Sequence, residues 1–531
     1  MDNHASLPLY EHTFVSSSAD LVSPSREQIL RRIYGRLLNI ERQCMKFGEE
    51  LKEPNKELSP SEWRTLVSFY RALLEEHYCF FVTSQHPSAT HAVKALALEH
   101  YMPARLWRYG IEPCLTYLKN KWLRHRESAQ NPPLELQEYA LHFIYLAYHT
   151  FTLFLQDVAV FDGIWIECLG DLARYRVAFE LNDSRERKVW EEVAKGWYNQ
   201  CAHRSPGIGH FYNHLGILAQ PDVLKQLFYY TKAVIAVIPF DEAYQGIDYL
   251  TRVALKGKIS NEMVSTFVQT HSILLNRGSS VHFLTCANHF LSLLQRDLSR
   301  LHLEEQGVYI MCCNFAALLR YSDTDAIIAP SAQENGSTTN PYYNTRTETS
   351  HERPSPQRWV EAVEANHDNF ARGENQAALR KSGALVFKTF SCFLDGIENP
   401  NTHAAVHTSL VFIWYLAHQC AVMQQLEDLI PWLEIIKLLN TIFSGRNAPF
   451  HQAETFLSPE HTTPKPLPED LLIRGQAWSE PYYPSDFFEG VSFNDEYPLT
   501  EKVSRASYRA HRCFWLGVQL AMVGLLSLLH E

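Results

Sequence analysis

The sequence predicts an all-α protein made of packed helical hairpins, and three observations carry that expectation. Apolar residues recur three to four apart along most of the chain, and no stretch shows the sustained alternation of an antiparallel sheet. Glycine is scarce, at 22 of 531 residues, while Trp and Tyr number 11 and 26, a balance that suits packed helices. Two Leu-Gly pairs, Leu169-Gly170 and Leu215-Gly216, sit in apolar helical segments, each followed by a second helix and then by proline. Glycine lets two helices approach closely, and proline closes the second of them.

The elements follow in order. Residues 1–24 are rich in Ser, Asp and His without periodicity and are expected to be disordered. A helix starts near Pro24-Ser-Arg-Glu and runs through Ile29, Ile33, Leu37, Leu38 and Ile40. Ser59-Pro60-Ser61-Glu62 reads as a capping box with proline at the first helical position, opening a helix with Trp63, Leu66, Phe69, Tyr70 and Leu73. A third helix starts near Pro103, carries Leu106, Trp107, Ile111, Leu115 and Leu118, and ends in the basic run Lys119–Arg126. After Pro132-Pro133 an apolar helix spans about 134–154.

The two glycine-bearing hairpins occupy 163–255, and 259–320 reads as further helices rich in Leu, Phe and His. Residues 322–357 are high in Ser, Thr, Asn and Pro, which predicts a disordered insertion. Helical pattern resumes near Trp359, with apolar faces in 383–395 and 405–443, and 444–468 is an irregular segment punctuated by Pro449, Pro459, Pro464 and Pro466. The expected organisation is a first domain over 25–257 and a C-terminal α-helical domain over 258–529.

Composition narrows the function classes. The length calls for two or three packed units. A net charge of −11 argues against a globally basic nucleic-acid binder, though a local basic groove stays open. Eleven cysteines without Cys-x-x-Cys pairs suggest reduced thiols in the nucleus or cytoplasm. The N-terminus lacks a signal-peptide layout. Cys513–Leu529 is short for a membrane span and contains Gln519, so it reads as a buried helix and no membrane is expected. No phosphate loop, nucleophile elbow, zincin or kinase motif is present, and no enzyme, cofactor or metal is expected.

The two hairpins read as tetratricopeptide-type units, although the Gly170-to-Gly216 spacing exceeds the roughly 34 residues of a regular repeat. Trp165-Ile-Glu-Cys-Leu-Gly-Asp-Leu-Ala-Arg-Tyr-Arg176 resembles the signature helix of the ever-shorter-telomeres and SMG nonsense-mediated messenger-RNA decay adaptor family. Gly209–Ala219, Phe228-Tyr-Tyr230 and Pro239-Phe240 resemble the next two helices of that pattern. Tyr101–Ile111 is similar to a helix of filamentous-fungal members, and Leu467–Gly475, Tyr482–Phe488 and Arg509–Ala521 are similar to the end of the family's helical domain. The resemblance covers roughly residues 25–525. It implies a 14-3-3-like domain of tetratricopeptide-type helices followed by a helical hairpin domain, without the PIN nuclease that some members add. It also implies a non-catalytic adaptor, with nuclear and cytoplasmic members acting in messenger-RNA surveillance or beside telomerase.

The same resemblance places Arg174 and Tyr175 in a phosphoserine pocket. The chemistry suits them, since a guanidinium makes paired, charge-assisted bonds to phosphate and a phenol adds another. The plain alternative is an ion pair from Arg174 to Asp171 at i−3. A second cation is expected from the Trp107 helix, where the animal pattern has Lys and this chain has Glu112; Arg105 and Arg108, three apart, are the substitutes, or else form a solvated face. Asn213 is placed to bond a bound peptide backbone, or to make an interhelical contact.

Lys119, Lys121, Arg124 and Arg126 with Trp122 form a candidate contact to RNA or single-stranded DNA, against the bland reading of cations at a helix C-terminus. His210 and His214, at i and i+4, are read as structural because no third ligand is in register. The leading expectation is an adaptor that binds a phosphorylated protein partner in messenger-RNA decay. The alternatives are a telomerase-associated protein that binds telomeric DNA or telomerase RNA, and a diverged fungal paralogue whose phosphate pocket is degenerate.

Overall fold

Ser25 opens the first helix, α1 (Arg26–Leu51), through a capping box in which Gln28 answers the cap. Ser59 does the same for α2 (Pro60–Ser84): its hydroxyl accepts from the Glu62 amide at 3.3 Å, while Glu62 accepts from the Ser59 amide at 2.8 Å. The computed structural model describes residues 25–53, 58–127, 134–180, 184–298, 303–320, 373–444, 456, 466–484, 486–490 and 502–523. The stretches 1–24 and 322–357, and most of 444–468, lie outside the described residues. The chain divides into two units, Met1–Asp162 and Gly163–Glu531. The helices on either side of residue 257 both belong to the second.

In the first unit α1 and α2 run antiparallel, as Phe47 beside Phe69 at 5.4 Å and Arg36 bonded to Glu76 show. Their inner faces bury Leu30, Ile33 and Leu37 on α1 and Leu66, Tyr70 and Leu73 on α2, close to the helical spacing read from the sequence, with Leu30 turned inward in place of Ile29. Then come α3 (His91–Glu99), a helical run from Met102 to Glu127, and α6 (Leu134–Asp157). Phe81 meets both Phe154 and Phe161 edge-on, at 5.4 and 5.6 Å, which locks α6 to α2.

The run through Trp107 is not one regular helix. α4 (Met102–Arg105) and α5 (Glu112–Glu127) flank a π-helical stretch, Leu106–Ile111. The wider i→i+5 turn lets Leu106, Trp107, Gly110 and Ile111 all face inward, four of six consecutive residues.

The second unit opens with α7 (Asp162–Phe179), α8 (Ser184–Arg204), α9 (Gly209–Leu218) and α10 (Val223–Val234). The two glycines play the part expected of them. A Cβ on Gly170 would lie 3.2 Å from the Tyr198 ring on α8, and one on Gly216 only 2.6 Å from the Tyr230 ring on α10. Helices α11 (Ala243–Leu255), α12 (Glu262–Leu275) and α13 (Ser280–Asp297) continue the stack. α14 (Leu303–Arg320) is the spine of the unit and is buried from Val308 to Leu319. It packs against α10, α15 (Gly373–Asp395) and α16 (His403–Ala417). Phe315 stacks on Phe412 at 3.9 Å, and both meet the edge of Trp478 at 5.3 Å.

The described residues contain no strand, only two isolated bridges, Ile208 to Ile238 and Ala236 to Gln476. The fold is all-α. The cysteines are free thiols. Among the described residues no helix is long and apolar enough to cross a membrane.

Candidate functional site

Three helices of the second unit converge on one polar cluster. α7 presents Glu167 and Asp171 four apart, α9 presents His210 and His214 four apart, and α8 brings Tyr198 between them. The Gly170 gap is what lets Tyr198 reach α7. Its hydroxyl donates to Asp171 Oδ1 at 2.6 Å, and the Arg174 Nη2 donates to the same oxygen at 3.0 Å. Arg174 Nε donates to the Tyr198 oxygen at 3.2 Å. His210 Nε2 lies 3.1 Å from His214 Nε2 and 3.4 Å from Glu167. His214 Nε2 lies 3.7 Å from Asp171.

Charge in the cluster follows from burial. Burial pushes His210 down to about 4 against the pull of Asp171, and drives His214 further below its ordinary range with help from Arg174. Both imidazoles are therefore neutral near pH 7. Burial also works against Arg174, but the Tyr198, Asp171 and Tyr175 oxygens more than offset it and hold the guanidinium charged. The cluster is a polar interior with one permanent cation at its edge.

Arg174 stands at that edge with 21% of its side chain exposed. Its Nη1 makes no hydrogen bond among the described residues, and its guanidinium lies 5.0 Å over the half-buried Tyr175 ring. The i−3 pair with Asp171 is present and uses one face of the fork. Asn213 is half-buried on α9, and its side chain makes no hydrogen bond among the described residues.

Arg105 and Arg108 belong to the first unit and do not share a face. Arg105 donates from Nε to buried Glu41 at 3.0 Å, from Nη2 to the other oxygen of Glu41, and from Nη1 to the Tyr34 hydroxyl at 3.1 Å. Arg108 is exposed, as is Glu112. The π-helical turn starts immediately after Arg105, so residues three apart no longer lie one above the other. Arg105 is thus engaged in a partly buried structural pair.

The basic run also divides. Trp122 is buried at 4% exposure and Lys121 at 8%, with Lys121 over the Tyr117 ring, so neither offers a surface for base stacking. Lys119 and Arg124 are exposed, and the Arg126 side chain lies outside the described ones. A four-residue cationic stripe with a stacking ring is not what the helix presents.

A second polar cluster was not foreseen. The segment around the short helix Pro468–Ile473 turns back onto α16 and the helix Lys502–Met522. Arg509 forks onto Glu469 at 2.5 and 2.9 Å, and His407 Nδ1 bonds the same carboxylate at 3.0 Å. Arg512 spans Asp470 at 3.3 and 3.4 Å and donates to the Tyr482 hydroxyl at 2.8 Å. Two adjacent acids, Glu469 and Asp470, and two arginines three apart, Arg509 and Arg512, on a helix whose C-terminal half is apolar are the signal that the sequence holds for this pairing.

The same segment also reaches the α9–α10 hairpin. Ala477 N donates to Ile235 O at 3.0 Å, Val237 N to Gly475 O at 3.2 Å, and the buried Lys232 Nζ to Leu472 O at 2.6 Å. Gly475 has φ +82, and a Cβ there would lie 1.8 Å from Pro206 O, so only glycine fits.

No family model matches the chain, and no curated protein matches it. Solved structures do. A chain in "Crystal structure of Est1 and Cdc13" superposes with a TM-score of 0.57 at 10% identity, covering 91% of this chain and 96% of that one. A chain in "Structure of the C. elegans SMG5-SMG7 complex" gives 0.40 at 11% identity, covering 83% and 99%. Over nine-tenths of its length, this chain has the all-helical fold of the chain solved in the structure of Est1 and Cdc13.

Proposed function

We propose that the protein is a non-catalytic adaptor that captures a phosphorylated segment of another protein at Arg174. The observation that carries this is the way Arg174 is held. Asp171 and Tyr198 fix two of its nitrogens, the charge is permanent, and Nη1 has no hydrogen-bond partner among the described residues. A guanidinium oriented in advance by a buried carboxylate and phenol loses little freedom when phosphate arrives. Tyr175 beside it adds a phenol, and the half-buried Asn213 adds an amide for the peptide backbone.

The fold supports the adaptor part of this reading, since the similar chain was solved as part of Est1 and Cdc13, two proteins together. The setting proposed is messenger-RNA decay, in nucleus and cytoplasm. The test is a titration of a degenerate phosphoserine peptide pool and its unphosphorylated counterpart against wild type and Arg174→Glu, with circular dichroism as the folding control. Binding that needs the phosphate and drops at least about tenfold in the variant supports the reading. Binding absent from the wild type, or unchanged by the charge reversal, ends it.

A further inference from the structure

We infer that the groove between α1 and α2 of the first unit is a docking site for an acidic, amphipathic helix of a partner protein. The groove encloses about 400 Å³, room for one or two bulky side chains. Ile29, Ile33 and Val82 form its apolar floor, and Ile29 remains 39% exposed. Arg32 and Arg36, one helical turn apart on α1, form one rim, and Tyr78 and Cys79 form the other.

The two arginines are not equivalent. Arg36 is forked onto Glu76 at 2.7 and 3.0 Å, so that pair is closed. The Tyr78 hydroxyl donates to Asp157 at 2.6 Å, and the exposed Glu75 lies on the α2 side, near enough to Cys79 to act on its thiol. Arg32 is exposed and has no carboxylate among the described residues. The first eleven residues of α1 carry Arg26, Arg31, Arg32 and Arg36 against the single acid Glu27, in a chain whose net charge is −11. Apolar floor and uncompensated cation together select an apolar anchor with a carboxylate beside it. A helix with Leu or Phe entering the groove and Glu on its flank supplies both, and the Arg36–Glu76 fork one turn away shows the geometry the Arg32 contact would take. A phosphopeptide or a nucleic acid would leave the apolar floor unused.

Cys79 is exposed in the groove and gives the test its handle. Two disulfide-capped fragments, a phenylpropionate and its carboxamide, are offered to the full chain under reducing competition, and the labelled cysteines are mapped by peptide mass. The carboxylate fragment should label Cys79 about fivefold more than the amide, Arg32→Gln should erase that preference, and exposed Cys420 should show none. In parallel, a fluorescein-labelled model helix with Leu at i, i+3 and i+7 and Glu on its flanks is titrated beside a Lys-flanked version. The Glu helix should bind more tightly, lose about fivefold or more in Arg32→Glu, and keep its affinity in Arg174→Glu. Equal labelling by the two fragments, a Lys helix that binds as well, or indifference to Arg32 would overturn the inference.

Discussion

Arg174 and Arg512 each meet an aspartate and a tyrosine hydroxyl, and they differ in what lies on the remaining side of the guanidinium. Around Arg512 that side is closed. Phe456, Tyr482 and Phe487 stand 4.1, 4.7 and 5.2 Å from it, and no part of the side chain is exposed. Around Arg174 one ring covers one face, and about a fifth of the side chain reaches solvent. Residue types alone do not tell a binding arginine from a structural one. Closure does, because a buried cation must spend all its donors inside the protein, whereas an edge cation keeps some for a ligand.

The strongest way to break this contrast is Arg512→Ala. It leaves Asp470 buried without its cation and should cost about 3–5 kcal/mol in urea unfolding. A loss below about 1 kcal/mol would mean that the closed network is not structural. Gly475→Ala comes next. Left-handed backbone and a collision with the Pro206 carbonyl should together cost roughly 2–3 kcal/mol, read as a lower urea midpoint at unchanged slope.

Acid separates the two networks. His210 titrates near 4 in the folded chain and near 6.5 unfolded, so between those values only the unfolded chain takes up the proton. Stability carried by the histidine network is therefore present above pH 6.5 and falls toward pH 4, by on the order of 1 kcal/mol per pH unit for each such histidine. Glu469 loses its contribution in the same direction, as pH falls, but over a lower range. Burial raises it, but Arg509 and His407 more than offset this and hold it below the usual carboxylate range, so its contribution is lost only at lower pH. Hydrogen exchange between pH 6.5 and 4 should show α9 losing protection before Pro468–Ile473. Simultaneous loss, or the reverse order, would count against the assignment.

Tyr198→Phe removes the hydroxyl that joins Asp171 to Arg174 and should cost about 1–1.5 kcal/mol by thermal unfolding. It should also weaken phosphopeptide binding by loosening Arg174. The smallest effect on stability belongs to Arg174→Gln, within about 1 kcal/mol because the pair is partly exposed. Its effect on phosphopeptide affinity should be the largest of the set. If Arg174→Gln unfolds the chain as readily as Arg512→Ala, the distinction between the two arginines fails.

Several of these parts were legible before any contact was known. The Ser59–Glu62 cap, the helix faces of α1 and α2, the hairpin glycines Gly170 and Gly216 and the Asp171–Arg174 spacing all lie within one helix turn or one hairpin. The π-helical turn after Arg105 was not legible, because apolar spacing in six residues does not separate a 3.6-residue turn from a wider one. Nor was the partner of Arg105, since Glu41 lies 64 residues away.

By itself the sequence determined the helical class, the capped helix starts, the close-packed hairpins and the local ion pair at Arg174. Each depends on residues a few positions apart, whose geometry the helix imposes. Only the tertiary structure decided that Tyr198 would finish the Arg174 network, that Arg105 and Trp122 would turn inward, and that the 466–484 segment would lock onto the α9–α10 hairpin. Those outcomes depend on which distant helices pack together, and burial then sets whether a cation pairs inside the protein or stays open to a ligand.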